Sequence, residues 1–97
     1  VTYHDYLLSE ITAFKLQGGD PLRIDLSKSI ALKSSLHLLP HWERLFIHKD
    51  VAPYVRNFHG IPLYIVEPSD YDFLVVTREE SGADHYHYQR FPKECHR

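Results

Sequence analysis

Methionine is absent from these 97 residues, and cysteine and tryptophan occur once each, as Cys95 and Trp42. A single thiol closes no internal disulfide, so the fold must rest on a packed core and the default compartment is reducing. The length lies above that at which metals or disulfides are usually needed for folding, and it fits one domain. No apolar run approaches the roughly 18 residues of a transmembrane helix. No charged, then apolar, then small-residue stretch opens the chain as a signal peptide would. Because the first residue is Val1, the sequence reads as a chain that lost its initiator or as a piece of a longer one, and a leader already cleaved is compatible with both. Excess charge of either sign is also missing. Eleven Lys and Arg against 13 Asp and Glu leave a formal −2, with the basic residues scattered, which argues against nucleic acid as a partner. No glycine-rich phosphate loop appears, since Gly18-Gly19 follows a helical pattern instead of opening one.

What is present is an ordinary globular composition, 43% apolar and 13% aromatic, with an unusual eight histidines. Protonating all eight carries the formal charge from −2 to +6, mostly between about pH 7.5 and 5.5 for unperturbed imidazoles. Solubility and association are therefore expected to depend on pH.

Thr2 and Asp5 resemble a capping box with Asp in place of Glu. Leu7, Ile11 and Phe14 recur at helical spacing, and Gly18-Gly19 with Pro21 closes the pattern, predicting a helix over 3–17. Leu22, Ile24 and Leu26 alternate with polar residues as in a strand. Ser27 or Ser29 is placed to cap a second helix reaching Leu39, which Pro40 stops. The stretch 41–50 fits a short helical turn or a loop. Strands are expected at 54–58, 63–66, 73–77 and 85–91, with a turn at Glu67-Pro68-Ser69-Asp70. The apolar runs Ile65-Val66 and Leu74-Val75-Val76 suit strands inside a sheet. Residues 92–97 read as a flexible tail.

The pattern predicts one α+β domain over 1–97: two helices packed on one side of a mixed sheet of four to five strands, ending in an antiparallel C-terminal meander. A parallel pairing of the strand at 22–26 after the second helix should cross over right-handedly. The expected core is Leu7, Ile11, Phe14, Leu22, Ile24, Leu26, Leu36, Leu63, Ile65, Leu74 and Val76.

For chemistry, His85-x-His87 places two imidazoles on one strand face, with Asp84 beside them and Cys95-His96 following. The spacing matches no closed zinc motif. An alternating edge strand, with the histidines outward and Tyr86 and Tyr88 inward, explains it more simply. His37-x-x-x-His41 is interrupted by Pro40 and lacks the glutamate of zinc peptidases. His48 and His59 read as isolated surface or turn residues. Cys95 is poorly placed for a preorganised nucleophile, and no Gly-x-Ser-x-Gly elbow occurs. Asp70, Asp72, Glu79 and Glu80 read as the solvated ends of a strand. No catalytic set and no cofactor motif emerge. Aromatic residues instead crowd the C-terminal half. Tyr54, Phe58, Tyr64, Tyr71, Tyr86, Tyr88 and Phe91 together exceed what so small a core can hide, which predicts an interaction surface drawn from Tyr54, Phe58, Tyr64, Tyr71, Tyr86 and Tyr88.

Phe58-x-Gly60-Ile61-Pro62-Leu63-x-Ile65, then Pro68, then Phe73-Leu74-Val75-Val76, resembles a pattern of tailed-phage and prophage structural proteins. In these a Gly-x-Pro strand, a Pro turn and an apolar strand follow one another. Asp5-Tyr6-Leu7 through Phe14, Gly18-Gly19-Asp20-Pro21 and Ile24-Asp25-Leu26-Ser27 are similar to the helix, turn and strand preceding such blocks. The chain is much smaller than a capsid protein and lacks its long helix and extended arms. The resemblance implies a small phage-type protein that binds or assembles, located in the host cytoplasm or the virion, and it carries over no functional residues. The expected function is thus a non-enzymatic protein-interaction or assembly module, binding another protein or itself, with no membrane partner and a cytoplasmic location. The alternative is a small metal-binding protein or metal-dependent hydrolase using His85, His87 and nearby acids.

Overall fold

Thr2 opens the first helix, α1 (Tyr3–Leu16), by accepting the Asp5 N–H on its Oγ1 at 3.0 Å, the N-cap half of the expected box. In the computed structural model, residues 1–34, 36, 54–67 and 70–97 are described, with the backbone alone at 54–56. At its far end α1 closes by donating the Gly18 N–H to the Lys15 carbonyl and the Gly19 N–H to the Phe14 carbonyl. That pair of bonds needs the left-handed φ of 89° at Gly18, which a side chain would strain. The chain then runs through β1 (Asp20–Ser27), α2 (Lys28–Ser34), β2 (Tyr54–Phe58), β3 (Ile61–Val66), β4 (Phe73–Arg78) and β5 (Asp84–Gln89).

The architecture is α+β, a five-stranded mixed sheet in the order β2-β3-β1-β4-β5. Only β1 and β3 are parallel, with Ile24 opposite Leu63 and Leu26 opposite Ile65. The other three pairs are antiparallel. The C-terminal strands therefore make two hairpins, β2-β3 and β4-β5, with β1 inserted between them. The expected far end of the second helix and the stretch 41–50 lie outside the described residues.

One core lies between the helices and one face of the sheet. Leu7, Ile11 and Phe14 of α1 and Ile30 and Ala31 of α2 cluster with Ile24, Leu26, Leu36, Leu63, Ile65, Phe73 and Val75. Phe58, Phe91 and Cys95 complete it. Leu22, expected in the core, is only half-buried. Leu74 and Val76 are buried but stand on the sheet face away from this cluster, because neighbouring strand residues point to opposite sides.

Residues 92–97 are not a free tail. Thr2 and His96 form a parallel bridge, the Tyr3 N–H donates to the His96 carbonyl at 2.9 Å, and the His96 N–H donates to the Val1 carbonyl. Arg97 donates from Nε to the Lys33 carbonyl and from Nη2 to the Leu32 carbonyl. The physical cause is apolar: Cys95 and Phe91 are buried, and Phe91 packs against Tyr3, Tyr6 and Phe73 with ring centroids 4.7–5.6 Å apart.

Candidate functional site

Because β5 pairs in register with β4, its side chains alternate between two surroundings. Val75 stands opposite His87 and Thr77 opposite His85, whereas Leu74 stands opposite Tyr88 and Val76 opposite Tyr86. The histidines therefore share the α1 side of the sheet and the tyrosines the other, which reverses the expected orientation. His87 is half-buried with its ring 4.3 Å from that of Phe14. Tyr86 and Tyr88 are 54% and 61% exposed. The alternation was legible, but its phase was set by β4, whose apolar run shows no preferred side.

On the α1 side a small cleft lies between the end of α1 and the β4-β5 hairpin. His87 Nε2 is 2.9 Å from Thr77 Oγ1, and His85 Nε2 is 3.1 Å from Glu79 Oε1. The two imidazoles stack with centroids 6.3 Å apart. Each ring thus engages its own partner, and the two do not converge on a common point. The cleft holds about 70 Å³, room for ordered water and well below the roughly 300 Å³ at which small-molecule pockets begin. Asp84 is drawn away by Arg78, whose Nε donates to its carboxylate at 3.0 Å. Cys95 sits near the opposite end of α1. Burial pushes its thiol pKa up, which suits an unreactive core group. Among the described residues no three His, Cys, Asp or Glu side chains gather as a metal site.

On the opposite face, register builds a transverse row from Tyr64 through Asp25 and Leu74 to Tyr88. Tyr71 joins it edge-on, its ring 5.1 Å from that of Tyr88. At the backbone level Tyr54 stands opposite Tyr64. Asp25 is 8% exposed, with Arg23 Nε 3.3 Å from its Oδ1. Burial pushes its carboxyl pKa up, and the guanidinium only partly counters this. Phe58 does not belong to any surface: it is fully buried in the core, because it ends β2 on the side facing α1.

Two arrangements had no counterpart in the sequence reading. Asp72, expected as a solvated strand end, staples three segments. Its Oδ2 accepts the Phe91 N–H at 2.8 Å, its carbonyl accepts the Ser27 N–H, and its N–H donates to the Gln89 carbonyl. Arg90 also donates to the Asp70 carbonyl. His4 and His59, 55 residues apart, meet with their Nε2 atoms 3.0 Å from each other. No sequence spacing signals such a pair.

No protein-family model, curated protein or solved structure matches the chain. Fold and surface together define it as a small α+β domain whose described helices lie on one sheet face and whose described strands end at one edge in a tyrosine-bearing strand. Among the described residues no helix is long and apolar enough to cross a membrane.

Proposed function

We propose that this chain is a non-enzymatic interaction or assembly module that pairs with a second copy of itself through β5. The observation that carries the proposal is the state of this edge. β5 pairs with β4 over all six of its residues without a bulge, from Gln89 opposite Phe73 to Asp84 opposite Arg78. It contains neither lysine nor proline. Natural sheets commonly guard their edges with such devices, and among the described residues no strand pairs with the outer side of β5. The other edge strand, β2, does carry a register shift, between Tyr54 and Arg56. Tyr86 and Tyr88, exposed beside Tyr71, add anchors of the type enriched at interfaces. Antiparallel pairing of β5 with its symmetry mate would extend the sheet across both copies. The tailed-phage setting, with its host-cytoplasm or virion location, rests on the sequence pattern alone.

The test is mass in solution by sedimentation over a wide concentration range, for wild type and for a Tyr86→Lys/Tyr88→Lys double variant. Dimeric wild type and monomeric variant, with equal thermal unfolding of the folded monomer, are expected. Wild type that stays monomeric throughout, or a variant that dimerises equally well, overturns the proposal.

The alternative function, a metal-binding protein or metal-dependent hydrolase built on His85 and His87, draws on their shared strand face and on the nearby Glu79. It is the weaker of the two, because Thr77 and Glu79 hold the two rings apart.

A further inference from the structure

We infer that His4 and His59 form a site for a divalent transition-metal ion of the zinc and copper class, held through their Nε2 atoms. His4 lies in the first turn of α1, and His59 occupies the tight turn joining β2 to β3. His59 is exposed and His4 is half-buried.

The geometry fits two imidazoles on one ion. Nitrogens about 2.0–2.1 Å from a metal stand about 2.9 Å apart at a right angle and about 3.3 Å apart on a tetrahedron. The Nε2 atoms of His4 and His59 are 3.0 Å apart, inside that range. In the absence of an ion, the same separation holds a shared proton between the rings, so a metal would replace that proton without moving either chain segment.

The tautomer is also prepared. Asp5 Oδ1 lies 3.3 Å from His4 Nδ1. A carboxylate there holds the proton on Nδ1 and leaves the Nε2 lone pair facing His59, the carboxylate–imidazole–metal arrangement seen around ligating histidines. The ring positions are fixed from below by buried Phe58, whose centroid is 5.2 Å from that of His4 and 4.8 Å from that of His59.

The turn supplies independent support. His59 and Gly60 have φ of 50° and 87°, the two positive values of a type I′ hairpin loop, where Asn-Gly is the favoured pair. A histidine tolerates this position less readily than asparagine, yet here it aims its ring at His4. The protein supplies two ligands, and water completes the coordination, which leaves open positions on the ion.

The test uses the full chain without a histidine tag, titrated with Zn²⁺ and, separately, Cu²⁺ by calorimetry. His59→Asn keeps the turn, since asparagine suits the positive φ, and isolates the ring. We expect one site in the wild type that weakens by at least about tenfold in His59→Asn and in His4→Gln, since losing a direct ligand should exceed the ~10–100-fold cost of losing an outer partner. His85→Gln/His87→Gln should leave that site unchanged, and low Cu²⁺ should broaden the NMR signals of the His4 and His59 rings first. No binding by wild type, equal binding by His59→Asn, or broadening centred on His85 and His87 overturns the assignment.

Discussion

Asp25 sits in the middle of the sheet's outer face, between Tyr64 and Leu74 in register, where water is largely excluded from its carboxylate. Burial raises its pKa and the nearby Arg23 offsets only part of the effect. A carboxyl that binds its proton more tightly in the folded than in the unfolded chain favours folding most at low pH. That contribution is lost as pH rises from the ordinary carboxylate range, about 3.9, through the raised folded value. Asp25→Asn removes the cost of the buried charge. The variant should therefore have a higher urea midpoint than wild type at pH 7, with the gap closing near pH 4. A lower midpoint at pH 7 would mean that the Arg23 pair outweighs desolvation. The alternation that puts Asp25 on a side opposite Ile24 was legible in the sequence. Its burial was not, because that depends on what stands beside it on β3 and β4.

Among the elements, local signals were the most informative. Thr2, Gly18-Gly19 and the His59-Gly60 turn each act within a few residues, so α1 and the β2-β3 hairpin stand close to where the sequence put them. The C-terminal segment shows the limit. Pro92, Lys93 and Glu94 look like a solvated end, but Phe91 and Cys95 on either side reach the core. Asp72 fixes the entry to the segment through the Phe91 N–H. Removing residues 91–97 should cost at least the roughly 3–5 kcal/mol of a buried Phe→Ala change, and thermal unfolding of the truncated chain would measure it. A chain that keeps its full stability without them would show the docking to be incidental. The facing of β5 was equally hidden, since strict polar alternation supplies a period without a phase.

For the whole molecule, β1 is the element on which cooperativity depends. The two hairpins lie on opposite sides of it and reach each other in the sheet only through its pairings with β3 and β4. Its inward residues Ile24 and Leu26 are fully buried beneath the helices. Ile24→Ala should cost about 2–5 kcal/mol, a large share of the 5–15 kcal/mol typical of a domain. Because both hairpins depend on β1, unfolding followed by far-ultraviolet circular dichroism and by tyrosine fluorescence should shift together. Separate transitions would show that the halves fold independently.

Hydrophobic period, caps and turn residues were enough to establish the α+β class, the order of the described elements and most of the described core, because these are near-neighbour effects along the chain. Helical spacing placed Leu7 and Ile11, and the strand pattern placed Ile24, Leu63 and Ile65, in the core without any long-range information. Tertiary structure alone decided that β1 divides the two hairpins, that the C-terminus docks, that Tyr86 and Tyr88 face outward and that His4 meets His59. Each of these depends on which distant segments share a face. Such a choice is made by the packing of the whole sheet against its helices, and no local spacing encodes it.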